Sequence, residues 1–84
     1  MFIKLDVIFY GSAGFHLSET PLSKDQKIYE DKQSREMRVK ATLDDTAQLR
    51  WWLLGFGDLV EVIGPKKLRE EFVEMTKKMV SVYK

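Results

Sequence analysis

At 84 residues and a formal charge of +1, the chain has room for one small domain and no global basic field, so a nucleic-acid role would need a local patch. Its 44% hydrophobic and 12% aromatic content is that of a globular core, and no apolar run approaches the ~18 residues that cross a membrane. The lack of cysteine excludes disulfides, thiolate metal sites and cysteine nucleophiles; a lone histidine, His16, excludes a His-pair metal site and leaves little for acid–base chemistry near neutral pH.

Residues 2–10 alternate Ile3, Leu5, Val7 and Phe9 with Lys4, Asp6, Ile8 and Tyr10, the period of a half-buried first strand. Met1-Phe2-Ile3-Lys4 lacks the basic-then-apolar layout of a signal peptide, so a cytoplasmic location is expected. Gly11-Ser12-Ala13-Gly14 breaks the strand, and Phe15, Leu17 and Glu19 fall on a short helix or an irregular crossing before Thr20-Pro21. Gln26 to Glu30 suggests a second strand, and the polar bend 30–34 turns it onto a third. There Met37, Val39, Ala41 and Leu43 face inward, while Arg38, Lys40 and Thr42 face outward.

Asp45 is an expected N-cap, with Gln48 completing a capping box, for a helix over Thr46–Leu54 that Gly55 or Gly57 ends in the left-handed conformation. On that helix Leu49, Trp52, Leu53 and Phe56 form the sheet-facing stripe, leaving Ala47, Trp51 and Leu54 on the far side. A strand follows over Leu59–Ile63, with Val60 and Val62 on one face. Pro65 then opens the last helix as its first residue. That helix carries Leu68, Phe72, Met75, Met79 and Val82 in one row and Val73, Thr76, Val80 and Tyr83 beside it, with Glu74 and Lys78 spaced as a supporting pair.

This order predicts an α+β fold: a ferredoxin-like βαββαβ sandwich whose first helix is short or irregular, with an additional C-terminal helix. Right-handed crossovers put the connecting helices on one face of the sheet. The other face shows Lys4, Asp6, Tyr10, Lys27, Tyr29, Arg38, Lys40 and Glu61 unless the last helix or a partner covers it.

Leu17-Ser18-Glu19-Thr20-Pro21-Leu22-Ser23-Lys24-Asp25-Gln26, the third strand, Trp52-Leu53-Leu54-Gly55-Phe56-Gly57-Asp58, Val60-Glu61-Val62, Pro65, Leu68-Arg69 and Tyr83 together resemble the C-terminal extension, often called WCX, of WYL-domain transcriptional regulators. The resemblance covers the chain from about Ile3, and the glycine-turn-to-proline portion is its most diagnostic part. It implies that residues 1–84 are a single domain from a larger bacterial regulator, behind a winged helix-turn-helix and a WYL domain. In that family the extension helps build the dimer and couples effector sensing to DNA binding. With no catalytic constellation among the residues, no enzyme activity and no cofactor are expected; the expected partners are a second copy or the WYL domain, with no direct contact to duplex DNA and none to a membrane.

Two sets of residues are candidates for function. Lys66, Lys67 and Arg69 crowd the first turn of a helix, where the macrodipole disfavours positive charge, so an anionic effector, a nucleic-acid backbone or an acidic partner surface is a candidate ligand there. Arg38 and Lys40, near Tyr10 and Tyr29, extend that set, although the third strand lacks the aromatics of an RNA-recognition sheet. Trp51, Leu54, Val73, Val80 and Tyr83 form the candidate protein interface. No residues emerge as catalytic or metal-binding: Asp44-Asp45 read as cap and turn residues, Glu61 as an outward strand residue, and His16 lacks a partner at recognisable spacing.

Overall fold

The computed structural model describes residues 1–83. Their alternation and turn chemistry produce β1 (Phe2–Tyr10), a 3₁₀ turn (Phe15–Ser18), β2 (Lys27–Asp31), β3 (Glu36–Asp44), α1 (Ala47–Leu54), a second 3₁₀ turn (Gly57–Leu59), β4 (Val60–Gly64) and α2 (Lys66–Val82). The strands form one antiparallel sheet in the order β2-β3-β1-β4, so the architecture is mixed α+β with a four-stranded sheet and two α-helices. β1 and β3 pair along their whole length, from Phe2 opposite Asp44 to Tyr10 opposite Glu36. The β1–β4 ladder shifts register between Asp6 and Val7.

Because side chains alternate across a strand, one face of the sheet collects Leu5, Val7, Phe9, Met37, Val39, Ala41 and Val62, all buried. Leu49 and Leu53 of α1, Leu17 and Leu68 of α2 close over that face in one core. Trp52 and Phe56 pack against it, edge-on to each other with ring centroids 5.0 Å apart, and Phe56 meets Phe9 at the same distance. The expected sheet-facing stripe of α1 is therefore the one observed. Leu49 and Leu53 of α1 and Leu68 of α2 are all buried on this side of the sheet, which leaves the opposite face uncovered.

The β1–β2 crossing, expected as a short helix or an irregular stretch, is a single 3₁₀ turn, Phe15–Ser18. Gly14 lies so close to the sheet that a Cβ there would sit 2.9 Å from the Phe9 ring. Side-chain bonds fix the remainder of the crossing: the Gln26 amide donates to the Leu17 carbonyl at 2.9 Å and accepts from the Leu22 N–H at 2.8 Å.

At the start of α1 the cap is Thr46, not Asp45. Thr46 is extended and its hydroxyl accepts from the Leu49 N–H at 3.1 Å, so the helix begins at Ala47 and Gln48 closes no capping box. Asp45 is instead bound by Arg50 at 2.6 Å. Gly57 takes the left-handed conformation, with φ +60°, while Gly55 stays right-handed. The 3₁₀ turn that Gly57 opens absorbs Leu59, so β4 starts at Val60 and runs to Gly64. Pro65, preceded by a cis peptide, is the N-cap of α2 rather than its first helical residue, since its ψ of 160° is extended. Within α2, Glu74 meets Lys77 at 3.5 Å rather than Lys78.

Candidate functional site

The seventeen residues of α2 include only one that is buried, Leu68. Phe72 packs partly on the core, and beyond it the helix leaves the body: Val73 is 43% exposed, Met79 49%, Val80 63% and Val82 75%. Between this helix, β4 and the end of α1 runs a groove of about 450 Å³ whose apolar lining includes Leu54, Val60, Phe72, Val73, Met79 and Val80. Of the candidate interface residues, the fold thus brings Leu54, Val73 and Val80 to one groove. Trp51, 65% exposed on the outer side of α1, and Tyr83, 88% exposed at the end of α2, lie outside its lining.

Two arginines hold the base of α2. Arg50 donates from Nε and Nη2 to the two carboxylate oxygens of Glu71, at 2.7 and 3.2 Å, and from Nη1 to Asp45 and the Thr46 carbonyl, tying α1 to α2. This keeps the Glu71 carboxyl below its ordinary range. Arg69 donates from Nη1 to Glu61 at 3.0 Å and to the Val62 carbonyl at 2.9 Å, so the first turn of α2 clasps the edge strand β4. Glu61 also accepts the Tyr10 hydroxyl at 2.7 Å. That bond, followed by the one from Arg69, lowers the pKa of Glu61, and the Glu61 contact raises that of Tyr10.

The candidate anion-binding residues do not converge. Arg38 and Lys40 lie on β3, on the uncovered sheet face, while Lys66, Lys67 and Arg69 lie at the start of α2. Arg38 forms a two-pronged bond to Asp6, at 2.9 and 2.6 Å, which holds that carboxyl below its usual range. Lys40 sits 6.0 Å from the centre of the Tyr29 ring. With Arg69 on Glu61, two cations of the set already hold carboxylates of their own chain. Lys66 and Lys67 stay exposed beside a helix start that no side chain caps.

His16 is exposed and stacks on Phe56, with centroids 6.4 Å apart. Among the described residues, no group of three or more histidine, aspartate or glutamate side chains could hold a metal ion. Nor is any helix among them long and apolar enough to cross a membrane.

Three structural residues are missing from the sequence reading: Arg50, Arg69 as a clasp, and Asp25. Asp25 accepts from the Thr42 N–H at 3.0 Å and from the hydroxyls of Ser23 and Thr42, and these bonds hold its carboxyl well below the usual range. Only Ser23, two residues away, is visible locally. The Arg50–Glu71 and Asp25–Thr42 contacts span 21 and 17 residues and leave no periodic trace.

A protein-family model described as the WCX domain matches residues 2–80. No curated protein matches the chain significantly.

Proposed function

We infer function from one premise: the chain belongs to the WCX domain family. On that premise we propose that it is a non-catalytic contact module of a WYL-type bacterial transcriptional regulator, working in the cytoplasm. It self-associates and couples effector sensing in a WYL domain to DNA binding elsewhere in the regulator. The observation that carries this reading is the exposed apolar side of α2, where Val73, Met79 and Val80 line one groove with Leu54 and Val60. Apolar surface gathered in this way gains free energy when a partner excludes water from it. The strand order, with β1 and β3 central, supports reading the sheet as ferredoxin-like with the first helix reduced to the Phe15–Ser18 turn.

The test is sedimentation of the chain over a wide concentration range, together with titration of a WYL domain encoded in the same reading frame. Concentration-dependent association or WYL binding, weakened by Trp51→Ala or Val80→Asp, is the expected result. A monomer at every concentration that also ignores the WYL domain overturns the reading.

Binding of a small anionic ligand or single-stranded nucleic acid through Lys66, Lys67, Arg69, Arg38 and Lys40 has less support, because Arg38 and Arg69 already pair with Asp6 and Glu61. Added salt separates the two: anion binding weakens steeply, whereas an apolar contact holds.

A further inference from the structure

We propose that the open side of α2 is the seam of an antiparallel helix pair with a second copy of this chain, Val73 and Thr76 packing at its centre, Val80 toward each end, and Glu70 of each copy facing Lys77 of the other. This rests on the contact-module reading and specifies its partner and alignment.

The spacing is the first argument. Arg69, Val73, Thr76, Val80 and Tyr83 follow one another at alternating steps of four and three residues, the repeat that keeps a helix seam aimed at a neighbouring helix. From Val73 onward this row is not the one that packs α2 on the core, which is Leu68 with Phe72. Arg69 is engaged with Glu61 and the Val62 carbonyl, so the free seam begins at Val73.

Chemistry along the seam is the second. Thr76 is its one polar residue between Val73 and Val80, and its hydroxyl already donates to the Val73 carbonyl at 2.9 Å. Burying Thr76 against a partner therefore strands no donor, and its methyl group is what the seam presents.

Charge selects the occupant and the direction. Glu70 and Lys77 each directly follow a seam residue and stand seven residues apart on the same flank. In an antiparallel pair that flank meets its own copy, and the two-fold axis sets Glu70 across from Lys77 twice. A parallel pair sets the flank against the opposite one, which carries Phe72 and Met79 and offers no charge match. Glu70 is exposed and makes no salt bridge among the described residues, and Lys77 has only an exposed contact to Glu74 at 3.5 Å.

Sedimentation velocity on the 84-residue chain tests the alignment with Glu70→Lys, Lys77→Glu and an equimolar mixture of the two. Each variant alone places like charges across the seam twice and is expected to weaken self-association by about tenfold. The mixture is expected to restore it as a heterodimer, which a mere folding defect in either variant cannot do. Variants that associate as tightly as the unaltered chain overturn this alignment while leaving the contact-module reading intact if Val80→Asp still disrupts association. A chain that stays monomeric yet binds the WYL domain overturns the second copy as occupant and keeps the broader reading.

Discussion

Gly14 shows what one absent Cβ does to this chain. The crossing after β1 can lie on the Phe9 ring only because nothing projects from position 14, and Leu17 reaches the core from that path. Gly14→Ala is expected to lower stability by about 1–3 kcal/mol in urea unfolding, the range for an overpacked core. Thr46 works by adding an atom instead of omitting one, since its hydroxyl satisfies the Leu49 N–H that the first helical turn leaves open. Thr46→Ala should cost about 1 kcal/mol in the same measurement. The residue before it, Asp45, touches Arg50 and caps nothing, so the helix-start contribution is expected to be absent from Asp45→Ala.

Among the elements, α2 is the least evenly attached. Leu68→Ala removes its one buried side chain and is expected to destabilise by about 2–5 kcal/mol. Met79→Ala, on the exposed half, should leave the unfolding midpoint unchanged at concentrations where the chain is monomeric. The strands were the most legible elements: the alternation in β1 places its ends correctly, and that in β3 assigns Met37, Val39 and Ala41 inward, because period two is written in the residues themselves. Element ends were less legible. Asp45 and Thr46 are both good caps, and only backbone geometry chooses between them; Pro65 fits a helix start or the residue before it with the same φ. Of the candidate site, helical spacing singles out Leu54, Val73 and Val80, which the fold gathers along one groove, whereas the pairing of Arg38 with Asp6 depends on strand neighbours 32 residues apart.

For the whole molecule, pH is the variable that addresses many contacts together. Asp6, Asp25, Asp31, Glu61 and Glu71 all have carboxyl pKa values below their ordinary range, through bonds to Arg38, to Ser23 and Thr42, to Ser34, to Tyr10 and to Arg50 respectively. A carboxyl with a folded-state pKa below its unfolded one stabilises the fold fully above the unfolded value, and that contribution disappears as pH falls through the folded value. Thermal unfolding should thus vary little with these groups from about pH 5 to 8 and move to lower temperature below about pH 4. Surface exposure of most of these pairs keeps each contribution small and makes the acid limb shallower in high salt. The clasp at the base of α2 also has a mechanical meaning. Leu68, Arg69 and Glu71 fix one end of the helix, and the residues from Val73 to Val82 form a lever arm of about 15 Å. A tilt of only ~4° at that fulcrum moves the free tip by ~1 Å. The contact nearest that fulcrum is the one from Arg69 to Glu61 on β4, which shares Glu61 with Tyr10 at the end of β1.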